Sequence, residues 1–108
     1  MKILNIHKTV SNQEIVDLLN DKLNLLFREQ RQIDVTFSVE IKDDAVEIYQ
    51  REIYEGFLFR IKIEGTELHI TRSEHYVDDV NSLTIESILN TLFEQLADDG
   101  KVTLILEG

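Results

Sequence analysis

The chain has no cysteine, no proline, no tryptophan and four glycines in 108 residues. Without cysteine it can form no disulfide framework, no thiolate metal site and no cysteine nucleophile. It also lacks long apolar runs. Its start, Met1-Lys2-Ile3-Leu4-Asn5-Ile6-His7-Lys8, is too short in apolar residues for a signal-peptide core or a membrane span, so a cytoplasmic location is the expectation. Positive charge is scarce as well: 11 Lys and Arg stand against 21 Asp and Glu, a formal net charge of −10. A surface of that balance repels phosphates and anionic headgroups, which argues against direct nucleic-acid or membrane binding. It attracts basic proteins through a long-range field that salt screens. Several catalytic signatures are missing too: there is no Gly-flanked nucleophilic serine, no phosphate loop and no HExxH.

The hydrophobic fraction is 43% and the charged fraction 30%, enough apolar material to fold against the self-repulsion. The length suits one core, and no stretch resembles a linker, so residues 1–108 read as a single compact domain. Residues 2–6 read as a short strand. Ser11-Asn12-Gln13-Glu14 then fits a capping box, opening a helix to about Arg31 with an apolar face of Ile15, Leu18, Leu19, Leu23, Leu26 and Phe27. Arg28 and Arg31 suit its C-terminal dipole. From Ile33 the period becomes two: Ile33, Val35, Phe37, Val39 and Ile41 alternate with polar residues, predicting a half-buried strand.

Lys42-Asp43-Asp44 reads as a turn into a strand over Ala45–Tyr54, with a bulge or bend near Gln50, where the parity changes. Phe57–Ile63 and Glu67–Arg72 follow as strands joined by a tight Glu64-Gly65-Thr66 hairpin, completing a meander of about four antiparallel strands. Residues 73–81 have no clear period and read as a loop. A second amphipathic helix opens at Ser82 or Thr84, with Ile85, Ile88, Leu89, Leu92, Phe93 and Leu96 as its apolar stripe. Gly100 fits a left-handed position after it, and Val102–Leu106 reads as a last strand. The expectation is therefore an α+β fold of order β-α-β-β-β-β-α-β, a mostly antiparallel sheet with both helices on one face.

Four constellations carry the functional question. Glu14, Asp17 and Asp21 form an acidic stripe on the first helix, and Glu94 with Asp98 forms a pair on the second. Such arrays can imitate the phosphates of a nucleic acid before a basic cleft, or can simply solubilise a helix face. Asp43-Asp44, Asp78-Asp79 and Asp98-Asp99 are adjacent acids without an EF-hand or comparable spacing, so no metal and no other cofactor is expected. His75, beside Asp78 and Asp79, could seed acid-base chemistry, but a histidine in an acidic loop is more usually solvated. Tyr49, Arg51, Tyr54, Arg60 and Lys62 could present an aromatic and charged contact surface, with Tyr49 and Tyr54 as anchors, or could pair across strands with Glu47, Glu52 and Glu55.

The leading expectation is a non-catalytic protein-binding domain that inhibits or escorts a basic protein partner, one that handles nucleic acid or acts as a toxin. Acidic nuclease inhibitors, immunity proteins and accessory proteins of phage or mobile elements share this size and charge. Two alternatives follow from other features. A self-associating assembly protein would use the sheet face or edge, giving a homodimer, and a small enzyme would centre on His75.

Overall fold

A computed structural model describes all residues, Met1–Gly108. Strand β1 (Lys2–Asn5) leads to helix α1 (Asn12–Arg31). Strands β2 (Ser38–Lys42), β3 (Ala45–Tyr49), β4 (Phe57–Glu64) and β5 (Glu67–Arg72) form the meander. Helix α2 (Val80–Leu96) and strand β6 (Thr103–Leu106) complete the chain. One six-stranded sheet runs β2-β3-β4-β5-β1-β6, and every neighbouring pair is antiparallel. The α+β fold and its element order are as the sequence predicts. The order across the sheet was open, and it places β1 inside and β6 at an edge.

Local chemistry explains the elements. The Ser11 and Glu14 capping box forms in both directions and starts α1, whose buried face is Ile15, Val16, Leu19, Leu23 and Phe27. Gln32 ends it in a left-handed conformation, its N–H donating to the Arg28 carbonyl. In the sheet, registers put Val46, Ile48, Phe59, Ile61, Leu68, Ile70 and Leu4 on one side. These residues join Ile85, Ile88, Leu89, Leu92 and Phe93 of α2 and the α1 face in a single buried cluster. Each such fully buried aliphatic side chain contributes roughly 1.5–3 kcal/mol of transfer free energy.

Three boundaries differ from the sequence expectation, each for a physical reason. Ile33–Phe37 alternates in burial but is not in the sheet, because β3 ends at Tyr49 and offers it no partner. Asn24 of α1 substitutes for that partner: its amide accepts from the Phe37 N–H at 2.7 Å and donates to the Phe37 carbonyl at 3.0 Å. The third strand stops at Tyr49 rather than Tyr54, where a register shift at Ile48/Tyr49 gives way to a turn after Gln50. Helix α2 starts earlier than Ser82, because the Asp79 carboxylate accepts from the Ser82 N–H at 3.0 Å and caps it. The segment before α2 includes a 3-10 turn, Glu74–Tyr76. After α2, Asp99 and Gly100 both take positive φ (51° and 69°), within a 3-10 turn that redirects the chain into β6.

Candidate partner-binding surface

Two of the three candidate acids of α1 have local work. Glu14 belongs to the capping box: its Oε1 accepts from the Ser11 N–H at 3.2 Å. Asp17 accepts from the Gln13 amide at 2.9 Å, and Asp21 is exposed. Lys22, Arg28 and Arg31 fill the second half of the helix. Acids near the N-terminus and bases near the C-terminus oppose the helix macrodipole, a stabilising arrangement.

Tyr49 and Tyr54 are buried, at 6% and 5% exposure. Tyr49 lies on the sheet face away from the helices, where its hydroxyl donates to the Glu47 carboxylate and the Arg51 guanidinium sits 3.9 Å from its ring centroid. The bond to Glu47 and burial push its hydroxyl up to about 12. Glu47 faces Glu40 across β2 and β3, a like-charge opposition that would be destabilising alone. Each carboxylate has its own arginine: Arg60 Nε reaches Glu47 at 3.1 Å, and Arg51 pairs with Glu40. The Arg51 hydrogen bond holds the Glu40 carboxyl below its ordinary range. Along this face Glu40, Glu47, Glu64 and Glu67 are matched in number by Lys42, Arg51, Arg60 and Lys62. The face is neutral, and its tyrosine is internal to the network.

Tyr54 supports α2. Its hydroxyl donates to Asp79 Oδ1 at 2.8 Å and accepts from the Asn81 amide at 3.1 Å, while its ring meets Tyr76 edge to face at 4.7 Å. Burial and the Asp79 bond raise its ionisation above the usual tyrosine range. The helix cap and the tyrosine are thus one unit.

Most of the net negative charge lies along α2. Between Arg72 and Lys101 there is no Lys or Arg, but seven acids: Glu74, Asp78, Asp79, Glu86, Glu94, Asp98 and Asp99. Asp79 caps the helix, and Glu86 is paired with Arg72 at 3.1 Å. Glu74, Asp78, Glu94, Asp98 and Asp99 are exposed and make no ion pair. Glu94, Asp98 and Asp99 gather at the negative end of the helix dipole, where local energetics disfavour them.

Between these acidic ends runs the solvent side of α2: Val80, Leu83, Ser87 and Thr91, all exposed and spaced as one helical stripe. Val80 is 55% and Leu83 46% exposed. The Thr91 hydroxyl donates back to the Ser87 carbonyl at 3.3 Å. An uncharged centre is therefore bracketed by carboxylates about 25 Å apart, the length of this helix at 1.5 Å per residue. On the other flank of α2, Glu86, Leu89 and Asn90 line a cleft of about 980 Å³ with Phe57, Phe59 and Ile70 on its walls and Glu55, Glu74 and His75 among its lining residues.

The remaining candidates do not converge. His75 is exposed on the 3-10 turn, its ring 6.2 Å from that of Tyr76. It makes no hydrogen bond to Asp78 or Asp79, and the Asp79 carboxylate already holds Ser82 and Tyr54. Asp43 and Asp44 occupy the β2–β3 turn with positive φ of 50° and 57°, far along the chain from the pairs flanking α2, and no three His, Asp or Glu side chains gather to hold a metal ion. No helix is long and apolar enough to cross a membrane.

Of the sequence-stated candidates, Glu94 and Asp98 thus belong to the α2 side, Glu14, Asp17 and Asp21 to the start of α1, and the two tyrosines to the interior. Val80, Leu83, Glu74 and Asp78 were not singled out. The signal that could have found them is the 28-residue stretch 73–100 without Lys or Arg. Comparison of the chain with family models, curated proteins and solved structures returns no match.

Proposed function

We propose that this chain is a small acidic, non-catalytic protein-binding domain, an inhibitor or accessory protein whose partner is a basic protein that handles nucleic acid or acts as a toxin. The observation that carries the reading is the outer side of α2: exposed Val80 and Leu83 between two groups of unpaired carboxylates, with no cation from residue 73 to residue 100. Like-charged groups at a helix C-terminus weaken the fold slightly, so their place is better explained by something outside the chain that neutralises them. A basic partner does so, and its approach is steered by the field of the whole molecule. The contact we assign is Glu74, Asp78, Val80, Leu83, Glu94 and Asp98. Glu14 has its explanation in the capping box of α1 and Asp17 accepts from Gln13; with Asp21, which is exposed in mid-helix, they stand as the comparison set.

The test is affinity capture from the native host lysate at about 0.05 M and about 0.5 M salt, which span weak and strong screening. The reading expects one basic protein retained at low salt and released at high salt. Retention of no basic protein at either salt would overturn it.

A further inference from the structure

The two edges of the sheet differ in how they meet solvent. β2, at one edge, carries Glu40 and Lys42, and Arg51 lies over Glu40. Charges of this kind are a recognised defence of an edge strand against pairing with other chains. β6, at the other edge, reads Thr103-Leu104-Ile105-Leu106, with no charge and every residue exposed. Leu104, Ile105 and Leu106 are 49%, 50% and 47% exposed. The register shift opposite Ile3 and Leu4 leaves Ile105 without a partner in β1.

The flanks of β6 say what fits it. Lys101-Val102-Thr103-Leu104-Ile105-Leu106-Glu107 is self-complementary about Leu104. An antiparallel second copy sets Leu104 against itself, Thr103 against Ile105, Val102 against Leu106, and Lys101 against Glu107 on both sides of the axis. We infer that β6 pairs with β6 of a second copy about a twofold axis, joining the two six-stranded sheets edge to edge. The occupant is a copy of this chain because the apolar run, the free backbone edge and the terminal charges complement one another only in that antiparallel arrangement. A four-residue strand buries little area, so the dimer is concentration-dependent rather than obligate.

The experiment is sedimentation of the 108-residue chain from about 10 µM to about 0.5 mM, a range over which mass action resolves a weak dimer. The mass rises toward that of two chains, and Leu104→Lys holds it at one chain while circular dichroism and melting temperature stay those of the parent. Lys101→Glu and Glu107→Lys each weaken the dimer about tenfold, and the double variant restores it, the size expected of reversing two rim ion pairs. Because the chain has no cysteine, Leu104→Cys reports the register directly: it oxidises to a disulfide-linked dimer, whereas Ile41→Cys on the β2 edge does not. A monomeric mass throughout the range overturns the inference. So does a double charge variant no tighter than the single ones, or equal cross-linking from the two edges.

Discussion

On the sheet face away from the helices, Glu40 and Glu47 sit side by side and each has an arginine, whereas along α2 five exposed carboxylates have none. The first arrangement is electrostatics used to hold a fold together: the paired charges are close, partly buried and opposite in sign. The second leaves charge without an ion pair, three of the five carboxylates at the helix end where the dipole disfavours them. Net charge alone, −10 over the whole sequence, hides this division. The excess over neutrality is concentrated around one helix, and the functional reading follows from where it lies rather than from how large it is.

If that comparison is right, removing an acid should act with opposite sign in the two regions. The largest effect is expected at Glu47, whose side chain is 7% exposed beside an Arg60 side chain that is 29% exposed. Glu47→Ala strands the guanidinium and deprives the Tyr49 hydroxyl of its acceptor, and should lower stability by about 2–3 kcal/mol in urea unfolding. Tyr54→Phe tests a place where an acid near α2 is engaged internally, as Glu86 is with Arg72. It removes the hydroxyl shared by Asp79 and Asn81 and should cost about 1 kcal/mol, with amide exchange quickening in the first turn of α2. Glu94→Lys should move the other way, raising stability by about 0.3–1 kcal/mol because it places a cation at the negative end of the helix. A loss of stability there would mean that the carboxylate has an internal role.

The smallest effect is the pH dependence of the balanced face. Tyr49 has a folded-state pKa raised from 10.0 to about 12. Its contribution to stability is therefore complete below pH 10 and is lost as pH rises through 12. Spectrophotometric titration should show Tyr49 ionising late, alongside the raised Tyr54, and Glu47→Gln should bring the Tyr49 step down. Glu40, held below its ordinary value of 4.5, contributes above that pH and loses its contribution as pH falls through the lower folded value.

The elements of the fold were legible because their periodicities were clean. The capping box at Ser11, the parity of Phe57–Ile63 and the stripe of α2 each specify one solution. The boundaries that moved depended on tertiary partners: Asn24 standing in for a strand against Phe37, and Asp79 capping α2 with the help of a tyrosine distant in sequence. No local pattern encodes these. Tyr49 and Tyr54 looked like surface anchors because the strand alternation placed them with charged residues. Their burial arises from the stacking of Arg51 on Tyr49 and from the meeting of Tyr54 with Tyr76, which only the folded chain reveals. Of the acids around α2, helical spacing picks out Glu94 and Asp98 as a pair, but the stretch without Lys or Arg around them is a long-range property that spacing within one helix misses.

The most direct measurement is the affinity of the captured basic protein for two charge variants across a salt series. In one, Glu74, Asp78, Glu94 and Asp98 become Lys; in the other, Asp17 and Asp21 of α1 become Lys, sparing Glu14 and its capping box. The α2 variant should lose at least about a hundredfold in affinity and most of its salt dependence, while the α1 variant stays within a fewfold of the parent. Equal losses from the two variants, or a loss confined to α1, would rule out α2 as the contact.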